Sequence, residues 1–360
     1  MSASNEILTS SAISISNADT AVPEVGPGPA LPEKSSFVIS RLFAPTGAEF
    51  KSAGPKRIPL RSASSINEQS YKRAAPWELK TLLTLAKPEI TFMVMISAGV
   101  ASLMASESLK VIVLVHSVVG TGLLAAGASI LNQYLERELD GRMRRTAKRP
   151  LPAGEITAGW ALALGVAVSS AGMLYVFFFL NALTALLGLL TLISYLFIYT
   201  PLKTKSSLCT LVGAFPGAAP VLLGWSAMTN SLSREAVALY AVLFLWQFPH
   251  FYAIGWLYRE DYARAGMRML PSWKSKDENA SFLILMLTHL LIIASVLLTI
   301  IAHTGTLYLV SSIILGIGFY PFAYKATVST SKLVAKRLLH ASVIYLALLY
   351  LFMIIDKVNR

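Results

Sequence analysis

The sequence NQYLERELDGRMRRTAKRPLP, residues 132–152, separates two long apolar stretches and organises the rest of the chain. Asn132, Glu136 and Asp140 follow one another at intervals of four residues. Because residues four apart stack along an α-helix, this spacing predicts three oxygen-bearing side chains on one helix face. Such oxygens suit a hard divalent cation, and Mg²⁺ commonly shares its coordination shell with substrate phosphates. The row is therefore a candidate Mg²⁺ site where a helix leaves the membrane.

Basic residues are concentrated in the same segment. They are Arg137, Arg142, Arg144, Arg145, Lys148 and Arg149. Arginine offers bidentate contacts to phosphate, so the run is a candidate site for the rest of a polyphosphate group. The alternative is an ordinary cytoplasmic loop that obeys the positive-inside rule. Acids beside a membrane are costly and tend to be functional, which favours a functional interpretation of the Asn–Glu–Asp row.

The composition is that of a polytopic membrane protein. The 360 residues are 55% hydrophobic and 14% charged, and the mean hydropathy is +0.60. The net charge of +12 lies largely between apolar runs, so topology and anionic lipid explain it better than nucleic acid does. The single cysteine, Cys209, excludes an internal disulfide and a cysteine-based metal centre. We therefore expect contact with a lipid bilayer and no binding to nucleic acid.

Nine apolar runs predict an all-α integral membrane protein, a bundle of about nine transmembrane helices that encloses an apolar cavity. Their approximate limits are 89–107, 111–135, 158–176, 178–199, 208–228, 235–257, 281–302, 305–324 and 338–355. The connection after every second run is basic, which predicts that these connections and the N-terminus are cytoplasmic. The two connections richest in acids then lie on the same side of the membrane, where they can share a site.

The first 74 residues differ from the rest. They are rich in Ser, Ala and Pro and lack a sustained apolar period, so we expect a disordered N-terminal tail over 1–74 and a transmembrane domain over 75–360. The tail is a poor signal peptide because no apolar core follows a charged start. Glu6, Asp19 and Glu24 occur where mitochondrial transit peptides avoid acids. A bacterial inner membrane is therefore favoured over a mitochondrial inner membrane.

A second charged segment extends from Trp246 to Pro271. Asp261 near its helix end is a candidate ligand for a second cation and Arg259 a candidate phosphate contact, with an ion-paired helix end as the alternative. His250 lies inside the preceding apolar run. A hydrogen-bonded core histidine is favoured there over an axial contact to a metal porphyrin. Lys203 lies in an earlier connection that is predicted to be on the same cytoplasmic side of the membrane. It is either a phosphate contact or a lysine placed there by the positive-inside rule.

These segments resemble a known family. The Asn132-x3-Glu136-x3-Asp140 row with its following Arg-Thr and Arg-Pro-Leu is similar to the first signature of the intramembrane aromatic prenyltransferases, the UbiA-type superfamily. Three further stretches resemble its haem-specific branch, the protoheme IX farnesyltransferases or haem O synthases. They are Lys87-Pro88-Glu89, Tyr199-Thr200-Pro201-Leu202-Lys203 and Trp246-Gln247-x-Pro249-His250 through Arg259-x-Asp261-Tyr262. The resemblance covers about residues 80–356. The sequence departs from the superfamily pattern at Glu136, where Asp is usual, and at Ala265, where many members have a second Asp.

The resemblance implies transfer of the farnesyl group of farnesyl diphosphate to a vinyl group of haem b, giving haem O and diphosphate for the terminal oxidases. It implies Mg²⁺ on catalytic ligands at Asn132, Glu136, Asp140 and Asp261, with haem b as a substrate rather than a cofactor. The substrate-binding residues that it implies are Arg145, Lys148, Arg149, Tyr199, Lys203, His250 and Arg259. It is also compatible with association with haem A synthase or with terminal oxidase assembly.

Three alternatives remain at this point. A prenyltransferase can act on another aromatic acceptor, such as a quinone precursor or a chlorophyll-type ring. A secondary transporter for an anionic solute is a more distant possibility, although its charged groups would be expected near the membrane midplane. A membrane scaffold without chemistry would not need the Asn–Glu–Asp row. Dependence on Mg²⁺ separates the enzymes from the transporter and the scaffold.

Overall fold

A computed structural model describes residues 78–106, 108, 110–269, 278–329 and 331–359. The predicted tail, 1–74, lies outside these residues. The described part is helical, with no β-strand in it. Its helices are α1 Leu79–Ala86, α2 Pro88–Met104, α3 Val111–Arg142, α4 Ala158–Phe179, α5 Ala182–Ile193, α6 Cys209–Thr229, α7 Arg234–Leu257, α8 Arg259–Ala265, α9 Glu278–Ile301, α10 Thr306–Val328 and α11 Lys332–Val358.

Eight spans in the described residues are long and apolar enough to cross a membrane, and a ninth forms if α1 and α2 count as one bent pair. The prediction of an all-α membrane bundle with about nine spans is therefore confirmed. The short helix α1 was not predicted, because its eight residues precede the first long apolar run. The α1–α2 pair bends by 56° at their junction.

Helix α6 is the centre of the bundle. It is 72% buried over its most apolar window, against 22–44% for the other spans. Small residues on α6 allow this position, because a Cβ added at Gly224 would lie only 2.0 Å from the carbonyl oxygen of Ala98 on α2. An added Cβ at Gly217 would lie 2.0 Å from Gln247 Oε1 on α7. The small residues of α6 therefore allow the backbone of α2 and the Gln247 side chain of α7 to pack directly against it.

One segment departs from regular α-helix. After Ile193, α5 widens into a π-helical segment, Ser194–Tyr199, and ends in a short helical turn, Thr200–Leu202. Such π-helical insertions are rare and often occur at functional sites. Here the segment carries Tyr199 and leads directly into Lys203, two residues that the sequence singled out. It was not predicted, since a π-turn has no hydrophobic period of its own.

Candidate active site

The Asn–Glu–Asp row lies on the last three turns of α3 and faces the protein interior. Asn132, Glu136 and Asp140 expose 1%, 5% and 1% of their surface, respectively, whereas the adjacent Leu135 is 44% exposed. A helix that turns its leucine outwards and its carboxylates inwards has its polar face directed into the bundle. The predicted common face of the three side chains is thus present, and it is buried.

Each member of the row contacts a basic side chain from another part of the chain. Lys87 Nζ donates to Asn132 Oδ1 at 3.0 Å, and Lys203 Nζ donates to Glu136 Oε1 at 2.7 Å. Arg149 donates to Asp140 Oδ2, also at 2.7 Å. The oxygens are therefore desolvated and directed towards positive charge. We call these six residues the headgroup site.

Lys87 reaches the site because the backbone turns sharply at this residue. It adopts a left-handed conformation with φ 49°, which is uncommon for a side chain other than glycine and is disfavoured further by the following Pro88. Gln133 on α3 stabilises the junction, because its Nε2 donates to the terminal carbonyls of α1 at Thr84 and Leu85. Strain of this kind persists only where its surroundings hold it, and it is often found at binding sites.

Lys203 is buried beside both a carboxylate and an aromatic ring. Its ammonium group lies 4.5 Å from the centroid of the Tyr199 ring and pairs with Glu136. Burial alone would lower the pKa of Lys203, but the charge of Glu136, with a smaller contribution from Tyr199, outweighs burial and raises this pKa above its ordinary value. Lys203 is therefore a permanently charged group within the site.

Asp261 is held separately on α8, which packs against the end of α3. It is 7% exposed and accepts hydrogen bonds from the backbone N–H of Arg144, at 2.9 Å, and from the Arg264 side chain. Within the described ranges, no three carboxylate, imidazole or thiolate groups converge as a metal centre. The headgroup site instead contributes two carboxylates and one amide, a set of hard oxygen donors that fits Mg²⁺ with the rest of its shell from water or phosphate.

The other predicted basic residues surround the headgroup site at its edge. Arg145 lies over the Tyr258 ring, 4.7 Å from its centroid, and Arg259 lies over the Trp256 ring at the same distance. Lys148 is exposed in the α3–α4 connection. We call Arg145, Lys148 and Arg259 the basic rim, which is distinct from the buried pairs of the headgroup site.

His250 lies on α7 and is hydrogen-bonded, as the sequence interpretation favoured. Its Nδ1 lies 2.8 Å from Ser342 Oγ on α11, and its ring stacks on Trp246 with centroids 4.5 Å apart. Because the Ser342 hydroxyl donates to the carbonyl of Leu339 at 2.7 Å, it accepts a proton from Nδ1. This arrangement leaves the lone pair on Nε2, the tautomer in which a histidine can accept a ligand contact.

Comparison with known proteins identifies the family of this chain. The UbiA prenyltransferase family matches this chain over residues 92–352. The chain belongs to the UbiA prenyltransferase family. Protoheme IX farnesyltransferase from Solibacter usitatus is 40% identical over 289 residues, which cover 78% of this chain and 99% of that protein. Protoheme IX farnesyltransferase from Koribacter versatilis is 38% identical over 290 residues, covering 78% and 94%.

Solved structures share the fold at lower identity. A structure described for digeranylgeranylglyceryl phosphate synthase superposes with a TM-score of 0.65 at 18% identity and covers 78% of this chain and 99% of that chain. A UbiA homologue from Archaeoglobus fulgidus, solved with DMAPP and Mg²⁺, gives a TM-score of 0.54 at 13% identity and covers 76% and 99%. At these identities the likeness extends to the fold alone.

Two residues of the site, Lys87 and Thr200, were not predicted as functional. Lys87 appeared only within the Lys-Pro-Glu stretch of the family resemblance, and Thr200 only within the Tyr-Thr-Pro-Leu-Lys stretch. Both contact Asn132, across 45 and 68 residues respectively. The signal available for Lys87 was a lysine next to proline before the first span. No signal in the sequence marked Thr200, because its contact with Asn132 depends on the π-helical segment.

Proposed function

We propose that this UbiA prenyltransferase transfers the farnesyl group of farnesyl diphosphate to a vinyl group of haem b and releases diphosphate. The observation that carries this proposal is the headgroup site, where three buried oxygen-bearing side chains contact three basic side chains at the end of an apolar bundle. An isoprenyl diphosphate has a matching shape, with an anionic head and an apolar tail. The names of the relatives from Solibacter usitatus and Koribacter versatilis support haem b as the acceptor.

In this proposal Mg²⁺ is held by Asn132, Glu136 and Asp140, with Asp261 as a candidate ligand for a second ion. The hard oxygens of the row fit this ion, and the Archaeoglobus fulgidus homologue was solved bound to DMAPP and Mg²⁺. When bound, Mg²⁺ stabilises the negative charge that develops on a departing diphosphate. The protein's part is to supply these oxygens in a fixed and largely dry arrangement.

Lys87, Arg149 and Lys203 bind the oxygens of the diphosphate. As the bond between the allylic carbon and oxygen breaks, its electron pair moves onto the diphosphate, and positive groups already in place stabilise that charge without reorganisation. Lys203 is suited to this task because its raised pKa keeps it protonated. Arg145, Lys148 and Arg259 at the rim contribute to attracting the polyanion and holding it.

The farnesyl cation that remains is exposed to the apolar interior of the bundle. Tyr199 presents its ring beside the headgroup site, and an aromatic face favours a nearby cation. The electron pair of a haem vinyl group then forms the new carbon–carbon bond. Water adds to the resulting porphyrin-side cation and loses a proton, which gives the hydroxyethylfarnesyl substituent. Exclusion of water from the first cation prevents simple hydrolysis.

We assign haem b to the α7–α11 side of the bundle, where His250 carries a lone pair on Nε2 under the tautomer set by Ser342. We also propose that the protein resides in a bacterial inner membrane with the headgroup site on the cytoplasmic side, as the basic connections indicate. Product passing to haem A synthase or to terminal oxidase assembly is compatible with this placement.

The test is a product assay. Purified protein in lipid receives haem b, farnesyl diphosphate and Mg²⁺, with and without a chelator, and porphyrins are separated by chromatography and identified by mass. A farnesylated, hydrated haem that disappears with the chelator is expected. Prenylation of a hydroxybenzoate in place of haem would preserve the headgroup site and overturn the acceptor. Absence of any prenylated product would overturn the proposed function.

A further inference from the structure

The amide of Asn132 has different partners at its two ends. Its Oδ1 accepts from Lys87 Nζ at 3.0 Å, and its Nδ2 donates to Thr200 Oγ1 at 3.2 Å. An amide is useful to a cation only through its oxygen, because the NH₂ group carries two donors and no acceptor. The function of Asn132 therefore depends on which way the amide is rotated.

The hydroxyl group of Thr200 determines that rotation. Thr200 Oγ1 donates its single proton to the carbonyl of Tyr195 at 2.8 Å. Only lone pairs remain for Asn132, so Thr200 accepts from Nδ2 and has no proton to give to Oδ1. At the other end, Lys87 Nζ donates to Asn132 Oδ1. Both neighbours thus require the same orientation, with the amide oxygen towards Lys87.

Burial makes the opposite orientation costly. Asn132 is 1% exposed and Thr200 is 6% exposed, so a rotated amide would lose the hydrogen bond from Lys87 Nζ and place its oxygen against hydroxyl lone pairs without water to compensate. The backbone contributes as well. The N–H of Thr200 also donates to the Tyr195 carbonyl, which closes the last turn of the π-helical segment and fixes Thr200 opposite Asn132.

We propose that Thr200 is a positioning residue, which holds the Asn132 amide with its oxygen directed towards Lys87 and towards the metal–diphosphate headgroup. The proposal rests on the proposed function and adds one residue to it. Thr200 supports the metal site although it contacts neither the metal nor the substrate. It also explains why the helix widens at Ser194–Tyr199. The wide turn places a threonine that bonds back to its own helix at the height of Asn132 on α3.

The experiment measures metal binding directly. Full-length protein in detergent, with a hydrolysis-resistant thio analogue of farnesyl diphosphate, is titrated with Mn²⁺, and free Mn²⁺ is followed by electron paramagnetic resonance. Thr200→Val keeps the shape and removes the acceptor, so its Mn²⁺ affinity should fall about 10-fold, as on loss of an outer-shell partner. Thr200→Ser retains the hydroxyl and should bind within about 2-fold of wild type. Thr191→Val is the matched control, because the Thr191 hydroxyl lies on the same helix and, among the described residues, bonds only to the Leu187 carbonyl.

The same substitution made in Asn132→Asp protein separates an effect on the orientation of the amide from an effect on packing. In Asn132→Asp protein both side-chain oxygens are acceptors, so Thr200→Val should then change Mn²⁺ affinity by less than about 2-fold. An equal loss in both backgrounds, a wild-type affinity for Thr200→Val, or a loss in Thr200→Ser as large as in Thr200→Val would overturn the positioning role. Wild-type protein that binds no Mn²⁺ would overturn the metal site itself. Wild-type protein that binds Mn²⁺ but makes no prenylated haem would overturn only the proposed reaction.

Discussion

Lys203 Nζ lies 2.7 Å from Glu136 Oε1, although the two residues are 67 positions apart in the chain. Their side chains are only 9% and 7% exposed. Two opposite charges that are buried together stabilise each other. Removing one of them leaves the other buried and unpaired, which destabilises the protein. The pair therefore links the stability of the bundle to the chemistry of the headgroup site, and the two effects can be separated by mutation.

Lys203→Met should lower kcat/KM for farnesyl diphosphate about 100-fold, because a fixed positive charge is lost from the departing diphosphate. It should also destabilise the protein by about 3–5 kcal/mol, the cost of an unpaired buried carboxylate. Adding Glu136→Gln should recover much of the thermal stability and none of the activity. Steady-state kinetics and thermal unfolding in detergent measure the two effects. Lys205→Met, at an exposed neighbour, is the control and should change neither.

The pH dependence of the Lys203–Glu136 pair follows from the direction in which the pKa of Lys203 is shifted. The pKa of Lys203 lies above its ordinary value, so the stabilising charge is fully present below the unfolded value of about 10.4 and is lost only above the folded value. We expect no alkaline loss of activity or stability from Lys203 below about pH 10. A kcat/KM profile that falls near neutral pH in wild type, and does not fall in Lys203→Met, would contradict this assignment.

Asp140→Ala should reduce turnover by about 100-fold or more and leave the protein inserted in the membrane, because a buried carboxylate of the metal site is lost. Its ion-pair partner, Arg149, is 20% exposed and can reach water. The haem product assay and size-exclusion chromatography measure activity and folding. Glu138→Ala is the matched control two residues away, since Glu138 is 77% exposed. Equal activity in the two variants would remove Asp140 from the site.

His250→Ala should weaken haem b binding more than binding of the diphosphate analogue, because His250 lies on α7 and has no contact with the headgroup site among the described residues. Ser342→Ala should weaken haem binding in the same direction, about 10-fold, since the ring loses the partner that sets its tautomer. Haem absorption titrations provide the measurement. His289→Ala, at an exposed histidine bonded to its own helix, should have no effect. Equal losses for both ligands would indicate a packing role for His250.

The orientation in the membrane can be tested with introduced cysteines. The native Cys209 is the single cysteine and is fully buried, so it need not be replaced. In intact cells or right-side-out vesicles, a membrane-impermeant maleimide should label Leu232→Cys, in the α6–α7 connection, and should spare Glu155→Cys, in the α3–α4 connection. The reverse pattern would place the headgroup site on the other side of the membrane.

The sequence was sufficient for the spans and for the row on α3, because both depend on local periodicity. Asn132, Glu136 and Asp140 are four residues apart, and a helix necessarily stacks them. The partners of the row were harder to predict, since Lys87 and Thr200 reach Asn132 only through the bend before Pro88 and the π-helical segment. Neither feature has a periodic signature. The tautomer of His250 likewise depends on Ser342, 92 residues away.

Helix α3 has 32 residues and is therefore roughly 48 Å long, against a hydrocarbon thickness of about 30 Å. Asn132 lies about 32 Å along it, where the hydrocarbon ends. Under the proposed reaction the two products thus partition into different phases at the moment they separate. Diphosphate is released where water can dilute it, while the enlarged porphyrin stays dissolved in lipid. Recombination would require both products to return to this boundary, so the length of α3 sets the depth at which they separate and would have to meet again.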